Sequence, residues 1–126
     1  MVPSAATTRP ADGRRTPTPV DDALRGELTQ LTATLCHALN DPKRLLILHA
    51  LAEGPASVGE LAETVGATVA NVSQHLAVLR ERGLVDSERD GLNVISTLRY
   101  PELIDAIDAL RDILRTELRR RSELLA

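Results

Sequence analysis

The sequence predicts a mainly α fold with a small β-hairpin (α+β), a winged helix-turn-helix with the order α-α-α-α-β-β-α. Three observations carry that prediction. Between Ser57 and Arg82, two amphipathic runs each follow a capping residue and are parted by Gly66. Next come two β-prone runs, Leu84 to Arg89 and Leu92 to Leu98, split by Asp90-Gly91, a strong hairpin-turn dipeptide. Long segments with one apolar stripe each lie on either side.

Residues 1–20 carry Pro3, Pro10, Pro17 and Pro19 among Thr, Ser, Ala and Gly with no apolar periodicity, so they read as a disordered N-terminal arm, with the folded domain at 21–126. Arg9, Arg14 and Arg15 against Asp12 make the arm locally basic: either a minor-groove arm or a plain tail. The first helix is expected from about Asp21 to Leu39, with Asp21 and Asp22 at its positive end and Leu24, Leu28, Leu31, Leu35 and Ala38 as its stripe. Asn40-Asp41-Pro42 interrupts it. Asp41 as N-cap with Pro42 at the first helical position starts a second helix, which carries Leu45, Leu46, Leu48 and Leu51 and stops near Gly54-Pro55.

Ser57 with Glu60 three residues on forms a capping-box pattern for a third helix; Leu61 and Val65 face inward and Gly66 ends it. Thr68 caps the fourth, whose Val69, Val72, Leu76 and Leu79 share one arc of the helical wheel. Ala70, Asn71 and Gln74 take the opposite arc, with Ser73 and His75 on its flanks, and Gly83 is the stop. Pro101 opens a long last helix with Leu103, Ile107, Leu110, Leu114 and Leu118 as its stripe and Arg119, Arg120 and Arg121 near its C-terminal end.

Composition narrows the function. A chain of 126 residues that is 43% hydrophobic, with one Tyr and no Phe or Trp, must build an aliphatic core, and it lacks the stacking platforms that single-stranded nucleic acid requires. The formal net charge is −3, so any duplex contact rests on local basic clusters. Arg outnumbers Lys by 14 to 1, which suits bidentate phosphate and guanine contacts or reflects a GC-rich genome. One cysteine excludes an intramolecular disulfide framework; no apolar run is long enough to span a membrane or act as a signal peptide, and the expected location is cytoplasmic. No nucleophile motif, phosphate loop or metal cluster appears, so no enzymatic activity and no cofactor is expected.

With these elements in place, the chain resembles the ArsR/SmtB family of bacterial winged-helix repressors over roughly residues 24–120. The resemblance is carried by LCHALNDPKRLLILHAL at 35–51, SVGELAETVG at 57–66 and NVSQHLAVLRERGLVDSERDG at 71–91, with Asp41, Pro42, Arg44 and Leu45 especially similar. It implies homodimers on palindromic double-stranded operators, released by an effector, with the dimer formed mainly by the first and last helices. The stripes read above agree: Leu24, Leu28, Leu31 and Leu35 on the first helix, and Leu103, Ile107, Leu110 and Leu114 on the last, are expected at the dimer interface.

A reading helix needs short polar side chains in its N-terminal half. Thr68, Asn71, Ser73, Gln74 and His75 occupy it. Gln74 is the first choice for base readout, Ser73 and Thr68 for phosphates or bases, and His75 for either role or for packing beside the helix. Lys43, Arg44, Arg80 and Arg82 are candidate phosphate contacts; Arg44 fits an internal ion pair equally well. Arg89 at the hairpin tip is the expected wing contact, with Asn93 nearby, but Glu88, Asp90 and Leu92 leave the wing barely positive, a departure from the family's basic tip.

Neither familiar metal site of the family is present. The third helix opens Ser57-Val58-Gly59-Glu60 with no thiol, and the last carries Asp105, Asp108, Asp112 and Glu117 with no His, a poor donor set for Zn(II), Ni(II) or Cu(I). The effector is unidentified. Cys36 beside His37 is either a small buried apolar residue or a thiol or metal sensor at the dimer axis, and His49 has no obvious partner. The principal reading is a sequence-specific DNA-binding regulator, a homodimeric repressor. The alternatives are a winged-helix protein-interaction module, or a redox or metal sensor using Cys36.

Overall fold

The computed structural model describes residues 13–125; the first twelve residues, which hold most of the expected arm, lie outside them. Residues 14–21 form neither helix nor strand. Helix α1 then starts at Asp22, with the Asp21 carboxylate accepting from the Leu24 amide at 2.7 Å. It runs α-helically over Asp22–Leu31, passes through a π-helical segment at Thr32–Cys36, and closes α-helically over His37–Leu39. The Thr32 hydroxyl donates to the Leu28 carbonyl at 2.9 Å, a side-chain claim on a backbone acceptor that loosens the ladder just where the helix widens. Periodicity alone does not reveal this widened turn.

Helix α2, Pro42–Leu51, has Pro at its first position and the Asp41 carboxylate accepting from the Lys43 and Arg44 amides. Its buried face is Ile47, Leu48 and Leu51. Leu46, counted with the apolar set in sequence, is 52% exposed, and Ile47 holds the core position in its place. The capping box at Ser57 and Glu60 forms as expected and opens α3, Val58–Val65, which Gly66 ends in the left-handed conformation at φ 69°. Thr68 accepts from the Asn71 amide and opens α4, Val69–Glu81. Val72, Leu76 and Leu79 are buried, whereas Val69, placed in the same arc, is 55% exposed because it sits on the first turn, beyond the edge of the core.

Three strands, not two, form the sheet. Beyond β2, Val85–Asp90, and β3, Asn93–Leu98, a two-residue strand β1, Ala56–Ser57, pairs antiparallel with β3, in the order β1-β3-β2. So short an element has no period to read. Asp90 pairs with Asn93, so the two-residue turn is Gly91-Leu92, one position later than the expected Asp90-Gly91. Gly91 supplies the positive φ. Helix α5 spans Glu102–Leu125. It continues past Arg119 to Arg121, so its last turn carries no basic residue, and Arg120 and Arg121 pair instead with Glu117. Among the described residues no helix is long and apolar enough to cross a membrane.

The apolar core is aliphatic, with buried contributions from α1 (Ala38), α2, α3 (Leu61, Ala62), α4, Leu84, Val85, Leu98 and Ile107 of α5, and Ser96 is buried in the sheet. Elsewhere the stripes of α1 and α5 stay outside it. Leu24, Leu28, Leu31, Leu110, Leu114 and Leu118 are all exposed in the single chain, while Leu35 and Leu103 pack partly against the core.

Candidate nucleic-acid interface

Helix α4 is held by its apolar arc, and that fixes which side chains remain outside. With Val72, Leu76 and Leu79 buried, Ala70, Ser73 and Gln74 are left exposed in the N-terminal half. These are short or uncharged side chains, the kind that approach base edges closely. Thr68 is exposed as well, its hydroxyl accepting from the Asn71 amide at 3.1 Å. Asn71 is half-buried, and its Oδ1 is enclosed with no hydrogen-bond partner among the described residues, so the carbonyl end of this amide is turned away from solvent.

His75 sits in the opposite situation. Its side chain is only 14% exposed, with Nδ1 3.4 Å from Arg44 Nη1 and Nε2 3.9 Å from Asp41 Oδ1. Within the chain it packs against Arg44 and Asp41. Arg44 turns inward too: Nε donates to the Ala38 carbonyl at 2.6 Å and Nη2 to the His37 carbonyl at 3.1 Å, at the C-terminal end of α1. The Asp41 carboxyl is held below its ordinary range. Partial desolvation works against this, but the amides of Lys43 and Arg44 and the nearby His75 and Arg44 charges outweigh it. The cluster Asp41, Arg44, His75 escapes linear reading because its members stand 31 residues apart across the Arg44–His75 contact.

The other basic candidates divide. Lys43 is exposed at the first turn of α2. Arg80 is exposed and its Nη1 donates to Ser87 Oγ at 3.3 Å, leaning the end of α4 onto the wing. Arg82 reaches back to α1, donating from Nη1 to the Ala33 carbonyl at 2.9 Å. On the wing, Arg89 is exposed but stands inside strand β2 opposite Val94 and not at the tip; Asn93 opposes Asp90. The tip itself is Gly91-Leu92, with Leu92 99% exposed. At the base of the wing Arg99 binds Asp86 through Nε and Nη2, which holds the Asp86 carboxyl below its usual range. Gly83 passes this pair at φ 79°, and a Cβ there would come within 3.3 Å of Arg99 Nη1.

His49, without an apparent partner in sequence, has one in space: its Nε2 is 3.0 Å from Asp108 Oδ1 on α5, and Arg111 binds the same carboxylate. Cys36 is exposed within the π-helical segment, so the expectation of a small buried apolar residue does not hold within one chain. Among the described residues, no three His, Cys, Asp or Glu side chains are grouped to hold a metal ion.

Comparison with known proteins agrees with this geometry. The family described as "Bacterial regulatory protein, arsR family" matches residues 41–87. The chain is 41% identical over 90 residues to the HTH-type transcriptional regulator YgaV of Escherichia coli K12, covering 66% of this chain and 90% of that protein. It is 34% identical over 110 residues to a biofilm growth-associated repressor of Agrobacterium fabrum, covering 87% and 91%. Among solved structures, M. tuberculosis Rv0081 superposes with a TM-score of 0.66 at 37% identity, covering 75% of this chain and 95% of that one.

Proposed function

Because the chain belongs to the arsR family of bacterial regulatory proteins, we propose that it is a homodimeric repressor that reads a palindromic operator in double-stranded DNA through α4 and is released by an effector. The observation that carries this reading is the exposed row Ala70, Ser73 and Gln74, backed by fully buried Val72 and Leu79 and nearly buried Leu76. A helix fixed so firmly along one side presents the other as a rigid surface, which base readout needs. Gln74 is the base-reading residue, able to pair bidentately with adenine; Ser73 and Thr68 meet phosphate or base edges. Lys43, Arg80 and, from the wing, Arg89 and Asn93 supply backbone contacts that position without specifying. The exposed leucines of α1 and α5 support the dimer, since covering them against a second copy removes a patch that a solitary domain of this size leaves to water. Three relatives carry the word repressor in their names, which supports the sign of regulation.

The test is a selection on random duplexes followed by affinity measurements across salt. A DNA reader enriches an inverted repeat, and its binding weakens steeply as salt rises. Absence of duplex binding at low salt favours the second reading, a protein-interaction module. That reading rests on the acidic neighbours of Arg89, namely Glu88 and Asp90, both exposed.

A further inference from the structure

Two guanidinium groups that the sequence offers as phosphate contacts converge instead on one short stretch of α1. Arg44, from the start of α2, caps the His37 and Ala38 carbonyls with two donors. Arg82, from the end of α4, donates to the Ala33 carbonyl inside the π-helical segment. The Arg82 Nε is buried with no acceptor among the described residues, and the residue as a whole is half-buried. A third guanidinium nitrogen of Arg44 meets His75, which stands in the middle of α4 and faces Asp41 through its other ring nitrogen. Residues 33–38 are thus gripped from both ends of the DNA-binding unit.

We propose that Arg44 and Arg82 are positioning residues for DNA binding: they clasp the C-terminal third of α1 to the reading helix α4, with His75 as the contact on α4. This rests on the function proposed above. The physical case has three parts. At the C-terminal end of α1 the His37 carbonyl accepts from the Asn40 amide, and the planar fork of Arg44 adds a second donor to it and one to the Ala38 carbonyl. Bonds from a charged donor are stronger than neutral ones, so the grip is stiff. And α1 also carries Leu24, Leu28 and Leu31, the exposed stripe assigned to the dimer. The angle between α1 and α4 therefore sets where the two reading helices of a dimer stand, and they must match successive major grooves about 34 Å apart. The π-helical segment follows the stripe directly and itself holds one end of the clasp, at the Ala33 carbonyl.

The discriminating readout is the salt slope, because a phosphate contact contributes to it and a positioning residue does not. The probe is the duplex that the wild-type protein enriches from a random pool, titrated between about 50 and 300 mM salt. The proteins are wild type, Arg44→Lys, Arg44→Met and Arg82→Met. The clasp predicts affinity losses of about tenfold or more for all three variants, with the slope of log K against log salt unchanged. In particular Arg44→Lys keeps the charge, loses the fork, and fails to restore binding. A slope lowered by about one in the Met variants, with affinity kept by Arg44→Lys, overturns the proposal. Circular dichroism and thermal melting accompany each variant; should the Arg44 variants not fold, the slope of Arg82→Met decides alone. A wild-type protein that binds no duplex at low salt removes the function itself, and this role with it.

Discussion

The helix-turn-helix and the pair α1/α5 solve the same problem, covering apolar surface, in different ways. In the helix-turn-helix the solution is complete within one chain: Leu61, Val72, Leu76 and Leu79 are almost wholly buried, and both helices start on side-chain caps. In α1 and α5 it is left unfinished. Ala38 and Ile107 reach the core, while Leu28 and Leu114 remain 50% and 55% exposed. The first region is covered by the chain's own core, and the second leaves an apolar stripe that the proposed dimer would cover. In the proposed dimer the difference would also separate two kinds of stability: one intrinsic to the chain, the other dependent on its concentration.

The sharpest way to break the first region is Leu76→Ala. The side chain is 1% exposed at the centre of the α4 arc, and its truncation removes transfer energy and leaves a cavity, so a loss of about 2–5 kcal/mol is expected by denaturant unfolding. A loss under about 1 kcal/mol would mean that the site collapses freely. The corresponding break in the second region is Leu114→Asp. Since Leu114 is exposed in the single chain, the variant should fold. Dimer affinity should fall on the order of thirtyfold or more, as for an interface hot spot. Sedimentation should then report 13.6 kDa in place of twice that mass; an unchanged dimer would move the interface elsewhere.

The same contrast explains what could be read from sequence. The elements that obey a local rule were legible: the Asp21, Asp41, Ser57 and Thr68 caps, the stop at Gly66 and the α4 arc all follow from chemistry within four residues. What escaped depends on tertiary partners. The strand β1 exists only because β3 lies beside it, and the turn slipped to Gly91-Leu92 because strand register, not dipeptide preference alone, sets it. Of the proposed interface, Ser73 and Gln74 could be placed from the wheel. For Arg44 and His75 the inward option stood open beside the outward one, and for Arg82 it was not visible, since an arginine near a helix end looks the same whether it meets a phosphate or a carbonyl.

Within the proposed interface a smaller effect tests whether α4 and the wing divide their labour. Gln74→Ala should lose operator preference, by about 1–3 kcal/mol at one base pair, while leaving binding to random duplex nearly unchanged. Arg89→Ala should weaken both duplexes alike and lower the salt slope by about one. Competition binding with operator and random duplexes measures both. Equal effects of the two substitutions on the two duplexes would dissolve the division.

The smallest effect probes the caps that make the helix-turn-helix self-sufficient. The Glu60 carboxylate accepts from the Ser57 amide at 2.9 Å, and this bond, with the Ser57 hydroxyl, lowers its pKa below the ordinary 4.5. In the window between the folded and ordinary values the unfolded chain binds more protons than the folded one, so stability rises with pH there. The contribution is therefore complete above about 4.5 and is lost as pH falls through the folded value. Glu60→Gln keeps an acceptor for the Ser57 amide but cannot titrate. The difference in Tm between wild type and Glu60→Gln should be small and positive at neutral pH, through the charge at the helix N-terminus. It should shrink as the solution is acidified past that value. Asp41, Asp86, Asp108 and Glu117 are also lowered and titrate in both proteins, so the difference isolates Glu60. A difference that stays constant through the acid range would assign the cap's worth to its geometry and none of it to its charge.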